Sequence, residues 1–267
     1  MRASIWGCRG SLSTPGGQTV RYGGNTSCVE VRTSTDALVV LDAGTGIRRL
    51  GESLPSEPRR IHLLLTHLHL DHVEGLGFFG PLFDPERHIT IWGPPQDGSS
   101  LAERIRTYLS PPFFPVPFDR FPATIDFVEL GEETWQLDEL TVTSAIVAHP
   151  GKTLAYRLRE NGRALAFIPD NEVGLDPTSG VALADGAELL FHDAQYTQDE
   201  YRSRVGWGHT GLEDLGDYLR SLTARRVVMF HHDPSHSDAQ LESMRDTAEG
   251  LAERGLDLAA EGAAYDV

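Results

Sequence analysis

Cysteine and lysine are almost missing from the 267 residues, and no stretch of about 18 consecutive apolar residues occurs. Two cysteines, Cys8 and Cys28, are too few for a disulfide framework. The absent apolar run excludes a membrane-spanning helix, and the opening MRASIWGCRG lacks the hydrophobic stretch and cleavage site of a secretory signal. A cytoplasmic location with both thiols reduced is the expectation. Positive charge is scarce as well: 23 Lys and Arg stand against 39 Asp and Glu, a net charge of −16, and Lys152 is the single lysine. Such a deficit argues against tight binding of long nucleic acid, whose partners carry basic faces, but it permits a small phosphate ester at a locally positive site. Hydrophobic residues make up 40% and aromatics 8%, a globular balance that rules out disordered and fibrous classes. A chain of this length buries a sizeable core without a metal or disulfide staple.

The first third is β-rich, with runs at Cys28 to Arg32 and Ala37 to Leu41 between turn-forming clusters, and an antiparallel meander is expected there. Arg59 to His67 is too short for a typical helix and suits a buried strand that delivers its C-terminal end to a site. A short helix is expected from Val73 to about Phe79. Residues 80–122 are dense in proline and carry the aromatic segment Pro111 to Phe118 after a helix, Leu101 to Leu109, with Ser100 and Glu103 at capping-box spacing. Strand-like runs return at Glu139 to Val147, Thr153 to Leu158, Ala164 to Ile168 and Glu188 to Phe191. Thr210 and Glu213 repeat the capping-box spacing before Leu212, Leu215, Leu219 and Leu222, and Ser237 opens a further helix carrying Leu241, Met244 and Leu251. Each half has a strand ending in aspartate, at Asp42 and Asp170. That repetition suggests a pseudo-symmetric sandwich with a site along one edge.

The segment His67-Leu-His69-Leu-Asp71-His72 packs three imidazoles and a carboxylate directly after a hydrophobic strand. This mixture suits zinc or another first-row divalent ion. In an extended loop, positions 67, 69 and 71 project to one side and 72 to the other, so one loop could serve two metals. His149, Asp170, the pair His192-Asp193, His209 and the pair His231-His232 complete an ordered series. His62, His88 and His236 fall outside it and are read as ordinary structural or surface residues.

Through HLHLDH, the later His149, Asp170 and His231, and the earlier LDAGTG, nearly the whole sequence resembles the metallo-β-lactamase-fold hydrolases. Within them it is most similar to the branch of ribonuclease Z and the small phosphodiesterases of phosphonate breakdown, through GCRGSLSTPGG, GGNTSC, HDAQYT and GHT. It departs from that branch at Asp193, where a glutamate is usual, and by one missing residue after His209. The resemblance implies one α/β domain over residues 1–267, a four-layered αββα sandwich with an insertion at about 80–122. It implies two divalent ions, zinc being the expected one, with manganese or iron accepted by the same donors. His67, His69 and His149 would hold one, Asp71, His72 and His231 the other, with Asp170 between them and Asp42 orienting the metal loop.

The expected reaction is hydrolysis of a small or cyclic phosphodiester, or of a nucleic-acid end, by water ionised at the metals. Asp71 would also hold that water, and His209, oriented by Asp193, would protonate the leaving oxygen. The aromatic segment at 108–118 is read equally as a lid and as a packing or dimer contact, and the resemblance allows a homodimer. Two other readings stand beside this one: a lactone or thioester hydrolase on the same scaffold, and an iron-dependent oxygenase or metal-binding protein resembling pyrroloquinoline quinone biosynthesis protein B.

Overall fold

The computed structural model describes residues 1–267. Two mixed sheets of seven strands each lie face to face. In the first, β1 (Arg2–Gly7), β2 (Cys28–Arg32) and β3 (Leu38–Leu41) pair antiparallel. From β3 onward, β4 (Arg60–Leu64), β5 (His88–Gly93) and β6 (Thr124–Glu129) pair parallel. The second sheet runs antiparallel through β7 (Glu133–Leu137), β8 (Leu140–Ile146), β9 (Leu154–Glu160) and β10 (Arg163–Ile168). It then turns parallel through β11 (Leu189–Asp193), β12 (Arg226–Phe230) and β13 (Asp257–Leu258). The last strand, β14 (Ala264–Asp266), returns to the first sheet beside β1.

The expected antiparallel meander therefore ends at β3. Parallel pairing needs a crossover, and α1 (Gly46–Ser53) supplies it between β3 and β4. Gly46 and Gly51 lower its helix propensity and Thr45 makes no side-chain cap, so the sequence carries little sign of it. The other helices are α2 (Leu70–Val73), α3 (Leu101–Tyr108), α4 (Val181–Ala184), α5 (Gln198–Tyr201), α6 (Leu212–Arg220) and α7 (Asp238–Ala252). None is long and apolar enough to cross a membrane.

Three apolar layers hold the sandwich together, and β3 shows how the sequence divides its side chains between them. Leu38 and Val40 point outward, packing with Ile47 and Leu50 of α1 and Ile105 of α3, while Val39 and Leu41 point inward. The inward pair joins Val142, Leu158, Phe167, Phe191 and Phe230 of the second sheet. Beyond that sheet, Leu215 and Leu219 of α6 and Leu241 and Met244 of α7 cover Ala166, Leu190 and Met229. Each fully buried Leu or Phe stabilises the fold by roughly 1.5–3 kcal/mol. Helix, sheet, sheet, helix is the αββα order expected.

Ser100 and Ser237 cap α3 and α7 as their spacing predicts. Two local expectations are corrected. Helical turns begin at Leu70, not Val73, and the stretch to Phe79 is α2 followed by a tight turn at Leu76–Phe78. Thr210 does not cap α6: its hydroxyl donates to the Asn171 carbonyl, Gly211 takes the cap position, and Gln198 Oε1 accepts the Glu213 N–H at 2.9 Å. Residues 80–122 contain β5, which sits inside the first sheet, and Phe118 and Phe121, which belong to the outer core.

Candidate metal centre

The C-terminal ends of the parallel strands meet at one edge of the sandwich, where open α/β sheets place their ligands. Asp42 follows β3, the His67 to His72 segment follows β4, Asp170 follows β10, Asp193 ends β11 and His231 follows β12. His149 reaches the same edge from the β8–β9 loop. The chain is not extended through residue 71 as the alternating pattern supposed. His69 is still extended, but Asp71 and His72 lie in α2, whose first turn swings both toward the interior. Asp42 and His231 each adopt φ near +59°. Non-glycine residues pay roughly 1–3 kcal/mol for such a backbone, and such strain collects at functional sites.

Asp170 lies at the middle of the cluster. Its Oδ2 stands 3.7 Å from His67 Nε2 and 3.6 Å from His149 Nε2, while Oδ1 stands 3.3 Å from His72 Nε2 and 3.4 Å from His231 Nε2. Asp71 Oδ2 is 3.2 Å from His231 Nε2 and 3.3 Å from His72 Nε2. His69 Nδ1 and His149 Nε2 approach to 3.1 Å. These atoms form overlapping groups: His67, His69 and His149; His67, His72 and Asp170; Asp71, His72 and His231.

What surrounds the rings fixes which nitrogen faces inward. Asp42 Oδ2 accepts from His72 Nδ1 at 2.7 Å, the Gly208 carbonyl from His149 Nδ1 at 2.8 Å, and Gln195 Oε1 from His231 Nδ1 at 2.7 Å. Thr66 donates its hydroxyl proton to Asp42 and so accepts from His67 Nδ1 at 3.1 Å. Each of the four rings thus turns its Nε2 toward the carboxylates. His67 Nε2 and Asp170 Oδ1 are buried with no hydrogen-bond partner. Such orphaned acceptors call for a cation, and the His and Asp clusters fit a dinuclear metal site.

The donors titrate in different directions: burial opposes a charge on His72, but the Asp170, Asp71 and Asp42 carboxylates outweigh it and raise that ring well above the usual imidazole range. Burial pushes His67 well below the usual imidazole range and His149 below it, so both stay neutral despite Asp170. Burial works against the charge on Asp71 and Asp170, yet the imidazoles, His72 and His231 among them, hold both carboxyls far below their ordinary range. Both remain ionised donors.

Asp193 and His209 stand beside this cluster. His209 Nδ1 lies 2.8 Å from Asp193 Oδ2, and the His209 ring stacks on His231 with centroids 4.8 Å apart. Burial opposes a charge on His209, but the Asp193 carboxylate outweighs it and raises the imidazole. Asp193 is itself fixed by the backbone N–H groups of Asn171 and Gln195.

Of the two adjacent pairs in the series, His192 and His232 stand outside the cluster, while Asp193 and the preferred His231 lie in it. His192 lies away from the cluster, its ring against Tyr218 and its Nδ1 on the Asp193 carbonyl. His232 points to the opposite side of the strand end, where its Nε2 meets the Ala259 carbonyl at 3.0 Å. His192 and Asp193 alternate on β11 and so face opposite ways, whereas beyond β12 the left-handed backbone at His231 (φ +59°) turns its ring into the cluster and leaves His232 outside. His62, His88 and His236 are occupied elsewhere by Asp138, Asp126 and Glu200.

Sequence reasoning missed four supporting residues. Gln195, within HDAQYT, orients His231, and the Ser11 N–H donates to Asp71 Oδ2 at 2.6 Å. Thr66 links His67 to Asp42. Buried Glu172 accepts from the N–H groups of Gly206 and Gly208 and from the Tyr201 hydroxyl, tying down the turn that carries both the His149 acceptor and His209. Position within a motif could have flagged Gln195; one acid among 39 gave no signal for Glu172. Two glycines leave room for the rings. A Cβ on Gly208 (φ +92°) would lie 2.2 Å from His149 Nδ1, and one on Gly10 would lie 2.2 Å from His231 Nδ1.

Residues 38–232 match the protein family described as the beta-lactamase superfamily domain. Ribonuclease Z of Pyrococcus furiosus is 24% identical, with 80% of this chain and 82% of that protein aligned. Ribonuclease Z of Haloarcula marismortui is 26% identical, over 99% of this chain and 83% of the other. Among solved structures, the metallo-β-lactamase fold protein YhfI of Bacillus subtilis superposes with a TM-score of 0.75 at 16% identity, covering 99% of both chains. Zinc-bound PqqB of Methylobacterium extorquens gives 0.74 at 20% identity over the whole of both chains. The short form of human tRNase Z gives 0.71 at 19%, covering 100% of this chain and 99% of that one. The two sheets with their flanking helices are the metallo-β-lactamase sandwich.

Proposed function

Because the chain belongs to the beta-lactamase superfamily and is a metal-dependent hydrolase, we propose that it is a dinuclear phosphodiesterase. Its substrate is a small or cyclic phosphodiester or a nucleic-acid end. The observation that carries this reading is the pairing of a two-sided donor cluster with a separate, carboxylate-held imidazole. Four anchored rings face the two oxygens of Asp170, and His209 stands against them on Asp193. The ribonuclease Z relatives support a phosphodiester as the bond cleaved.

His67, His69 and His149 would hold one ion and Asp71, His72 and His231 the other, with the carboxylate of Asp170 between the two groups. Zinc is the expected metal, supported by the imidazole-rich donor set and by the zinc in PqqB. Bound there, two such ions supply Lewis-acid polarisation of the phosphoryl group and a water ionised near neutral pH. Asp71, steadied by Ser11, orients the attacking water. His209 carries one proton on Nδ1 toward Asp193 and a second on Nε2, which it gives to the departing ester oxygen. That transfer matters for phosphodiesters with poor leaving groups. It matters less for lactones and thioesters, and so favours the diester reading.

The net charge of −16 and the absence of a basic run favour a small or short substrate over long nucleic acid. Buried, unpaired Cys8 and Cys28 accord with a reducing, cytoplasmic setting. The test is turnover of bis(p-nitrophenyl) phosphate, a lactone and a thioester by protein reconstituted separately with zinc, manganese and iron. Metal-dependent diester cleavage well above the ester panel is expected. Turnover of the lactone or thioester alone, or oxygen uptake with iron, would replace the proposal.

A further inference from the structure

A cavity opens beside the donor cluster and has no part in the chemistry so far described. It encloses about 690 Å³. Two segments that carry donor residues also form its walls. Leu68 and Leu70 flank His69, and Lys152 lies three residues beyond His149. His69 is the exposed donor of its group, so the cluster is open on this side. A group attached to phosphorus at the cluster would therefore extend into the cavity.

Leu68, Leu70, Val73 and Ile105 give the lining an apolar part, and Arg104 and Lys152 bring two positive charges to it beside the Asp97 carboxylate. Lys152 is the single lysine of a chain that carries net charge −16, so two cations at one cavity stand out against the overall balance. Both lean on Asp97: Lys152 Nζ is 3.2 Å from its carboxylate, and Arg104 Nη2 is 3.4 Å from its carbonyl. Asp97 is 94% exposed and Lys152 49%, so water screens the pair and an incoming anion displaces it at little cost. The far wall is firmer, because the Tyr108 hydroxyl donates to the Glu74 carbonyl and Ser100 caps the helix that carries Arg104.

We infer that this cavity is the specificity subsite. It takes an ester substituent of up to nucleoside size, largely apolar, that ends in a second anionic group held by Arg104 and Lys152. The inference rests on the phosphodiesterase reading and narrows its substrate class to diesters with one bulky, anion-tipped arm. Phosphate on a nucleoside and carboxylate on an aryl ring share this chemistry.

The test compares methyl p-nitrophenyl phosphate, deoxythymidine 5′-(p-nitrophenyl phosphate), the same compound with a 3′-phosphate, and 4-carboxyphenyl p-nitrophenyl phosphate, using the zinc-reconstituted enzyme. The readout is the ratio of kcat/KM values between substrates within each variant. The 3′-phosphate is expected to raise kcat/KM about tenfold, and Arg104→Gln with Lys152→Gln to erase that gain. Gln96→Trp, at a half-buried lining position, narrows the cavity and should erase the preference for nucleoside over methyl. A larger gain from the nucleotide or from the aryl carboxylate identifies the source of the anion. Ratios that survive all three substitutions would overturn the subsite while leaving the hydrolase intact. If no diester is cleaved, calorimetry with deoxythymidine 3′,5′-bisphosphate decides separately. Binding weakened about tenfold by the same variants upholds the subsite as the hydrolytic reading falls, and unchanged binding removes the subsite too.

Discussion

The two halves of the donor cluster are built differently. In the half of His67, His69 and His149, the rings whose outer nitrogens are anchored lean on neutral groups, the Thr66 hydroxyl and the Gly208 carbonyl, and His69 is exposed. In the half of Asp71, His72 and His231, every donor is buried, one ring leans on the Asp42 carboxylate, and Asp71 adds a charge of its own. Negative partners behind an imidazole make it a stronger donor. The buried half is therefore expected to hold its ion more tightly, and the exposed half to meet substrate. Asp170, with one oxygen turned to each side, couples them.

Asp170→Ala should erase the difference altogether, since both halves lose their shared carboxylate. Diester turnover is expected to fall about 10³-fold or more, with metal content dropping in parallel. His209→Ala leaves both halves in place and removes only the proton donor. Its cost should be about 10²-fold for alkyl diesters and much smaller for p-nitrophenyl diesters, which leave without a proton. The pH dependence carries the sign of the raised His209 imidazole. The ring keeps its proton to higher pH than an ordinary imidazole and loses it as pH rises further, so the wild-type rate on alkyl diesters should decline on the alkaline side. That limb should be missing in His209→Ala, as pH profiles of kcat would reveal.

Smaller effects sharpen the comparison. Asp42→Asn should weaken the tighter ion by about 10–100-fold, and Gln195→Leu by nearer tenfold, in competition titrations with a chelator. Thr66→Val removes a neutral partner from His67 as well as a link to Asp42, so its effect should reach the weaker ion by only a few fold.

Much of this site was legible because its chemistry is concentrated. HLHLDH places four donors within six positions, and the isolated His149 and Asp170 each fall where a strand-like run ends. The adjacent pairs at 192–193 and 231–232 could be resolved only by backbone geometry: strand alternation at the end of β11, and a left-handed turn at His231 just past β12. Gln195 and Glu172 were hidden for another reason. They act through hydrogen bonds to residues 36 and 36 positions away in the chain, His231 and Gly208 respectively, and such pairing leaves no local pattern. In the fold, β2 and β10 were plain as apolar runs, whereas β6 lies half-exposed at a sheet edge without clean alternation. Thr210 had the spacing of a helix cap but serves the Asn171 carbonyl instead, a tertiary contact overriding a local preference.

The most direct test of the two-sided centre is the zinc content of the dialysed, reconstituted protein beside that of His69→Ala, measured by elemental mass spectrometry. The account predicts about two ions per chain in the wild type and about one in the variant, the buried half keeping its metal. A single ion in the wild type, or loss of both from His69→Ala, would contradict it.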